Sequence, residues 1–230
     1  MTEALSSFVF GHSSIIGFSM SLFVTFEGPE GCGKTTQIAK LAEFLRGRGC
    51  DVIATREPGG TPIGDQVRAV LHATGNASMR APTELLLYCA SRAQLVADVI
   101  RPHLERGGVV LSDRYADSSL AYQGYGRGID LNLLKTVLDF ATGGLRPDLT
   151  LLLDLDVEEG LHRRRGGGGE WNRLDQETID FHRRVRDGYL ALARGEPDRW
   201  MMIDAAEGVD DVQRDIRGAV LQRLDVKRET

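Results

Sequence analysis

A run of residues near the start of the chain has the types and spacing needed to bind a nucleoside triphosphate. It consists of Gly28, Pro29, Glu30, Gly31, Cys32, Gly33, Lys34, Thr35 and Thr36. Positions 28–35 match the pattern G-x-x-x-x-G-K-[ST], in which backbone N–H groups surround the β-phosphate and the following helix adds its positive end. Lys34 is expected to reach the β- and γ-phosphates, and Thr35 to ligate Mg²⁺. The pattern therefore predicts a phosphate-binding loop (P-loop) with Mg²⁺ as cofactor.

Charged residues follow two further apolar runs of the sequence. The triplet Arg56-Glu57-Pro58 follows the second run, and Asp113-Arg114 follows the third. In open α/β sheets the ligand binds at the carboxyl ends of the strands, so these side chains are expected beside the phosphates. Asp113 is then a second metal ligand, and Arg114 a cation next to the transferred phosphoryl group. For each arginine alone, a solvated loop residue remains the alternative.

The elements that must position these residues alternate along the chain. Five short apolar runs, rich in β-branched residues, predict strands buried on both faces: 22–27, 51–55, 109–113, 149–154 and 200–204. Helical spacing connects them at 34–48, 63–74, 82–106, 131–142, 158–165, 176–194 and 209–224. This order predicts a three-layer α/β/α architecture with a five-stranded parallel sheet, the P-loop NTPase fold, in a single domain over residues 20–230.

Composition limits the partners. The net charge is -5, which argues against a nucleic-acid-binding surface, and no apolar run is long enough to span a membrane. Three cysteines without C-x-x-C spacing indicate neither a disulfide framework nor a zinc site, and suggest a reducing cytosol. Residues 1–19 lack the features of a signal peptide, and Met20 directly precedes the first strand. We interpret residues 1–19 as a disordered extension or the product of a mis-called start.

The P-loop alone does not separate a kinase from a nucleotide switch. The guanine-reading pattern N-K-x-D of GTPases is absent from the sequence. Arginines at two strand ends favour a kinase, whose second substrate needs cations of its own. A P-loop module that hydrolyses ATP slowly, without an acceptor, remains the alternative.

Three further motifs resemble bacterial thymidylate kinase when taken in order with the P-loop. They are Thr55-Arg56-Glu57-Pro58-Gly59-Gly60-Thr61, Asp113-Arg114-Tyr115 and Ser118-Ser119-Leu120-Ala121-Tyr122-Gln123-Gly124. The resemblance covers residues 20–224 and implies transfer of the ATP γ-phosphate to dTMP, giving dTDP and ADP for dTTP biosynthesis. It also implies a homodimer, joined through the helix at 82–106 and its neighbours, and the cysteine pattern predicts a cytoplasmic location. Another P-loop nucleotide or nucleoside kinase is the alternative within the same enzyme class.

The resemblance also assigns roles to individual residues. Tyr88 would stack on thymine and Arg92 would bind the edge of the base, which is possible because positions i and i+4 share one helix face. A core aromatic residue is the alternative for Tyr88. The acceptor-binding residues implied by the resemblance are Glu30, Arg56, Glu57, Pro58, Tyr88, Arg92, Arg114, Ser118, Tyr122 and Gln123.

A lid is expected at about residues 160–175. It contains Arg163-Arg164-Arg165, four glycines at 166–169, and Arg173. The P-loop has no basic residue among its variable positions, so the resemblance implies that the lid supplies a catalytic arginine. We predict Arg165 and Arg173 for this role, and expect them to act with Lys34 and Arg114. A solvated basic helix end is the alternative.

Overall fold

The computed structural model describes residues 21–167 and 171–229. Its strands are β1 (Leu22–Glu27), β2 (Val52–Arg56), β3 (Val109–Asp113), β4 (Leu149–Asp154) and β5 (Trp200–Asp204). They form a five-stranded parallel sheet in the order β2-β3-β1-β4-β5. The predicted α/β fold is confirmed, and only β2 lies one residue later than its predicted range. The extension predicted for residues 1–19 lies outside the described residues.

Helices cover both faces of the sheet, which makes the fold three-layered. They are α1 (Lys34–Gly47), α2 (Pro62–His72), α3 (Ala81–Leu95), α4 (Arg101–Glu105), α5 (Ala116–Ser119), α6 (Leu131–Thr142), α7 (Val157–Gly166), α8 (Ile179–Gly195) and α9 (Val209–Glu229). A short 3₁₀ turn at Thr74–Asn76 and π-helical segments at Val96–Ile100 and Leu120–Gly126 complete the described chain.

The central strand β1 shows why the sheet needs two helix layers. Alternate side chains of a strand point to opposite faces. Leu22, Val24 and Phe26 pack in a cluster that also contains residues of α1 and α9. Phe23 packs instead with residues of α3 and the π-helical segment that follows it. Since both faces of β1 are apolar and buried, a helix layer on each side is required to exclude water.

The long helix predicted at 82–106 is interrupted. α3 passes into the π-helical segment Val96–Ile100, which passes into α4. Pro102 explains the interruption, because proline has no backbone N–H and its ring clashes with the carbonyl group four residues earlier. The helical stretch at 116–126 was not predicted, since its glycines and short polar residues give no helical period.

The register of the sheet brings the predicted site residues to one edge. Asp113 pairs with Phe26 of β1 on one side and with Arg56 of β2 on the other. After β1 the chain forms β2 and β3 on one side of β1, and then crosses to form β4 and β5 on the other side. The P-loop that follows β1 therefore lies where the order of the strands changes direction. Such a switch point leaves a crevice at the carboxyl ends of the strands.

Candidate active site

The P-loop connects β1 to the N-terminus of α1, as its motif requires. Gly28 and Gly31 have φ values of 137° and 72°, which favour glycine. A Cβ atom at Gly28 would overlap the carbonyl oxygen of Leu153, and one at Gly31 would overlap that of Gly160. The loop is therefore held against β4 and against α7. Its backbone conformation and close packing both depend on the absence of side chains at these positions.

Lys34 lies against the loop from which it starts. Its Nζ donates to the carbonyl oxygens of Gly28, at 3.2 Å, and Pro29, at 2.9 Å. The side chain is buried and lines the cleft that follows the loop. A cation satisfied by neutral groups can exchange them for phosphate oxygens, to which charge-assisted hydrogen bonds are stronger.

Thr35 and Asp113, the two predicted metal ligands, lie next to each other. The Thr35 hydroxyl donates to Asp113 Oδ2 at 2.9 Å, and both side chains line the cleft. A hydroxyl and a carboxylate are hard oxygen donors of the kind Mg²⁺ prefers, and one or two such side chains with substrate phosphates commonly complete its coordination. The residues present therefore fit the implied ion. Within residues 21–167 and 171–229, no group of three or more His, Cys, Asp and Glu side chains could hold a metal.

The cleft has a volume of about 440 Å³ and lies at the carboxyl edge of the sheet. Most of the predicted residues line it: Glu30, Gly31, Gly33, Lys34, Thr35, Thr36, Arg56, Glu57, Pro58, Tyr88, Asp113, Arg114, Ser118, Tyr122 and Gln123. The remaining predicted residues are outside its described wall: Gly28, Pro29, Cys32, Arg92, Arg165 and Arg173. The first three of these contact the Lys34 ammonium group, whereas the arginines have other partners.

Arg114 makes five hydrogen bonds at the cleft. Its Nη1 donates to the carbonyl oxygen of Gly28 at 3.1 Å and to the hydroxyls of Tyr189 at 2.9 Å and Ser118 at 3.3 Å. Its Nη2 donates to Glu30 Oε1 at 2.8 Å and to the Tyr122 hydroxyl at 3.2 Å. The backbone has a φ of 71°, a left-handed conformation that non-glycine residues seldom adopt. This guanidinium is held in position before any substrate binds.

Glu30 faces Arg114 from inside the P-loop. Burial alone would raise the pKa of this carboxyl, but the charges of Arg114 and Lys34 outweigh burial and lower the pKa to about 2. The carboxylate also accepts a hydrogen bond from the Tyr122 hydroxyl at 2.8 Å. Glu30 is therefore ionised at neutral pH and fixes both Arg114 and Tyr122 on the acceptor side of the loop.

Glu27, the last residue of β1, was missed by the sequence analysis. It is fully buried, and its Oε1 accepts the Tyr115 backbone N–H at 2.8 Å. Its Oε2 accepts the hydroxyls of Ser118 at 2.5 Å and Tyr189 at 2.9 Å, and those hydroxyls also contact Arg114. Burial, reinforced by the negative charge of Asp117, raises the pKa of Glu27 to about 7. In sequence, Glu27 is only the polar end of an apolar strand.

Arg92 lies at the bottom of the acceptor side. It is 1% exposed and its Nε donates to Glu57 Oε2 at 2.7 Å. Its two terminal nitrogens donate to the Ser119 hydroxyl and the Tyr115 carbonyl oxygen, each at 3.0 Å. Tyr88, four residues earlier, lines the cleft. The predicted pair thus shares one helix, with the ring at the wall and the guanidinium deeper.

The lid arginines have different surroundings. Arg163 and Arg164 of α7 line the cleft, and Arg164 pairs with Asp175 at 3.0 Å. Arg165 lies over the ring of Trp171, 5.2 Å from its centroid. Arg173 is 4% exposed and pairs with Glu84 at 2.6 Å. The two arginines predicted to be catalytic are thus directed elsewhere in this structure.

Several residues of the cleft wall had no predicted role. They are Arg68, His72, Ser119, Asn172 and Leu174. Burial and the charge of Arg68 lower the pKa of His72 to about 4, so the imidazole is neutral near pH 7. Arg68 and His72 lie on α2, directly after the motif at 55–61, and a helical projection from that motif would have placed Arg68 near the acceptor. The positions of Asn172 and Leu174 depend on the backbone path of the lid, which the sequence does not predict.

Comparison with known proteins agrees with this geometry. The family model described as thymidylate kinase matches residues 26–216. The chain is 53% identical over 205 residues to a thymidylate kinase of Deinococcus radiodurans, which covers 89% of this chain and 98% of that protein. It is 51% identical over 213 residues to a thymidylate kinase of Roseiflexus castenholzii, with 87% and 93% covered. The crystal structure of thymidylate kinase from Ehrlichia chaffeensis matches with a TM-score of 0.71 and 33% identity, covering 87% and 99% of the two chains.

Proposed function

This chain belongs to the thymidylate kinase family and is an ATP-dependent dTMP kinase, and we propose that Arg114 is the cation that aligns the acceptor phosphate for the transfer. The observation that carries this proposal is the set of five hydrogen bonds that hold the Arg114 guanidinium between the P-loop and the acceptor side of the cleft. The acceptor is already a phosphate anion, so the reaction needs alignment and charge neutralisation rather than a strong base.

On the ATP side, Lys34 and the backbone N–H groups of the P-loop bind the phosphates. Lys34 exchanges its contacts with Gly28 and Pro29 for the β- and γ-phosphate oxygens. Thr35 and Asp113 would hold Mg²⁺, which when bound neutralises charge on the phosphates. ATP and Mg²⁺ are thus held on one side of Glu30 and the acceptor on the other.

The acceptor enters beside Tyr88 and Tyr122. We propose that thymine stacks on Tyr88 and reaches the depth of Arg92, where Glu57 and Ser119 line the cleft. The ring of Tyr122 forms a wall that disfavours a 2′-hydroxyl group, and Gln123 contacts the base. Arg56, Pro58 and Ser118 complete the acceptor side.

The lid supplies a further cation through α7. A Cβ atom at Gly31 would lie 3.1 Å from the backbone nitrogen of Arg164, so α7 packs directly on the P-loop. For this reason we propose Arg164, which lines the cleft, as the lid cation in the present arrangement. Catalytic roles for Arg165 and Arg173 stay predictions, and each requires its side chain to leave Trp171 or Glu84.

We propose a homodimer formed through α2, α3 and α6. These helices pack in series, α2 on α3 and α3 on α6. They expose large apolar side chains: Ile63 at 53%, Val70 at 45%, Leu86 at 61%, Leu133 at 56% and Phe140 at 90%. Ile63 and Val70 are seven residues apart, as are Leu133 and Phe140, so each pair shares a helix face. Exposed apolar surface on neighbouring helices is typical of protein interfaces.

Thymidylate kinases are cytoplasmic enzymes, and we propose the same location for this chain. In the part of the chain that the structure describes, none of the helices is both long and apolar enough to cross a membrane.

Replacing Arg114 by alanine tests the alignment. ADP formation with ATP and dTMP is followed in a coupled assay, and the kcat of Arg114→Ala is expected to fall by about 10²–10³-fold. The matched control is Arg146→Ala, because Arg146 is exposed and lines a separate cavity outside the active-site cleft. Arg146→Ala should retain the wild-type rate.

A near-wild-type kcat for a folded Arg114→Ala variant would contradict the proposal. Acceptor-independent ATP hydrolysis at the rate of the dTMP reaction would instead indicate that the cleft does not use the acceptor as a substrate.

A further inference from the structure

Glu84, on the first turn of α3, is a buried carboxylate with four hydrogen-bonded or ion-paired donors. It is 1% exposed. Its Oε1 accepts Gln123 Nε2 at 2.8 Å and Arg127 Nε at 3.2 Å. Its Oε2 accepts Arg127 Nη2 at 3.1 Å and pairs with Arg173 at 2.6 Å. Glu84 does not line the described cleft, but Gln123 does.

The contact with Glu84 determines which end of the Gln123 amide faces the cleft. A carboxylate can only accept hydrogen bonds, so it must bind the NH₂ end of the amide. The Gln123 carbonyl oxygen then points away from Glu84, and among the described residues it accepts no hydrogen bond. The side chain is 1% exposed and belongs to the cleft wall. Gln123 therefore presents its carbonyl oxygen, a hydrogen-bond acceptor, to a molecule in the cleft.

The two arginines keep Glu84 in its acceptor-only form. Burial alone would raise the pKa of Glu84, but hydrogen bonds from Arg127 and Gln123, with the charges of Arg127 and Arg173, lower that pKa. A protonated carboxyl could donate to the Gln123 carbonyl oxygen and allow the amide to turn over. The ion pairs with Arg127 and Arg173 exclude that alternative near neutral pH.

We propose that Glu84 is a positioning residue that makes the cleft selective for bases with an N3–H group, acting through the orientation of the Gln123 amide. The inference rests on the proposed contact between Gln123 and the base. Thymine and uracil carry a proton on N3 and can donate it to the Gln123 carbonyl oxygen. Cytosine carries a lone pair on N3, which would face that oxygen with no proton between them. A site with a fixed acceptor rejects such an analogue because both acceptors are left unpaired.

The test uses the substitution Glu84→Gln, which keeps the shape but allows a donor to face Gln123. Steady-state kcat/KM is measured with dTMP and with dCMP on the same preparation, and dCMP is measured as a competitive inhibitor where its turnover is too slow. The ratio for two acceptors does not depend on the fraction of folded enzyme, so loss of stability alone leaves it unchanged. Glu84→Gln is expected to lower the dTMP/dCMP ratio at least about tenfold.

Arg127→Gln is the matched control. It removes an ion-pair partner of Glu84 that does not line the cleft, but keeps Glu84 anionic beside Arg173 and in contact with Gln123. We expect its dTMP/dCMP ratio to stay within about twofold of the wild type, and its stability to fall. An equal loss of selectivity in Arg127→Gln would overturn the proposal in favour of a general structural role.

Gln123→Met separates this inference from the function on which it rests. If Gln123→Met lowers the ratio but Glu84→Gln does not, then Gln123 reads the base without help from Glu84, and only the inference fails. If Gln123→Met leaves the ratio unchanged, the proposed contact between Gln123 and the base fails, and the inference fails with it.

Discussion

At the scale of single residues, the orientation of the side chains in the cleft is determined by hydrogen-bond partners from distant parts of the sequence. Arg114 is held by Gly28, Ser118 and Tyr189 on one nitrogen, and by Glu30 and Tyr122 on the other. A flexible arginine would lose side-chain entropy when it bound the acceptor phosphate. Because these contacts order the guanidinium in advance, that loss does not oppose the reaction.

Glu27 should make the stability of the protein depend on pH in a particular direction. Its pKa is raised to about 7 in the folded chain, from an ordinary value of 4.5, so the folded state binds the proton more tightly than the unfolded state. The stabilisation by this protonated group is present in full below pH 4.5 and is lost as the pH rises through 7. The substitution Glu27→Gln removes the titrating group and with it this dependence.

The measurement compares the free energy of unfolding of wild type and Glu27→Gln in urea at pH 5 and pH 8. The stability of the wild type relative to the variant is expected to decrease between these values by on the order of 2–3 kcal/mol. Other titrating groups are shared by the two proteins and cancel in the difference. A difference that is the same at both pH values would contradict the raised pKa.

At the scale of elements, α7 connects the lid to the phosphate site. Gly31 of the P-loop and Gly160 of α7 approach so closely that a Cβ atom on either would overlap the backbone of the other segment. This contact places the last turn of α7, with Arg163 and Arg164, at the cleft. Beyond that turn, Arg173 is anchored to Glu84 of α3 and to the carbonyl oxygen of Leu71. One end of the lid thus contacts the ATP side and the other the acceptor side.

Alanine substitutions along the lid should separate catalysis from anchoring. Arg164→Ala is expected to lower kcat by about 10²-fold, since it removes a cation from the reacting phosphates. It also removes the ion pair with buried Asp175, so its kcat is compared at equal amounts of folded enzyme. Arg173→Ala is expected to lower the free energy of unfolding by roughly 3–5 kcal/mol, because it leaves Glu84 with less compensation for a buried charge. Coupled-assay kinetics and urea unfolding on each variant check the two effects.

Arg165→Ala decides the remaining prediction for this segment. A loss of kcat as large as that of Arg164→Ala would support the catalytic role predicted for Arg165. A wild-type kcat for Arg164→Ala would remove Arg164 from the mechanism. His162 is exposed on the same helix and does not line the cleft, so His162→Ala serves as the control.

At the scale of the whole molecule, the active-site cleft and the proposed dimer surface lie on different sides of α3. The cleft opens at the carboxyl edge of the strands, whereas the exposed apolar residues lie on the outer sides of α2, α3 and α6. α3 is shared, because it carries Tyr88 and Glu84 toward the cleft and Leu86 toward solvent. An interface on this helix would hold the acceptor side of the cleft in place.

Charged substitutions on α6 should disrupt the dimer. Leu133→Glu with Phe140→Glu is expected to convert the protein to a monomer, because burying two carboxylates in an apolar interface is costly. Light scattering after size-exclusion chromatography gives the mass directly. Met202→Glu, on the edge strand β5 and 54% exposed, is the control and should leave the mass unchanged. A wild-type chain with the mass of a monomer would exclude the interface.

Much of this protein follows from its sequence. The strand ranges and the layered fold could be predicted because apolar runs of this length must be buried on both faces. The P-loop could be predicted because glycines at fixed spacing favour one loop conformation. Most predicted site residues were placed at the cleft for the same reason, since parallel strands end at one edge.

The remaining features depend on packing between distant segments and were decided only by the tertiary structure. Nothing near Glu27 in sequence indicates that it would accept the hydroxyls of Ser118 and Tyr189. Likewise, the resemblance predicts a catalytic role for Arg173 in the lid, and its ion pair with a buried carboxylate on α3 is visible only in the tertiary structure. Sequence determines which side chains are available. Where a long, flexible side chain points depends on which opposite charge the fold brings within reach, because burying either charge alone is too costly.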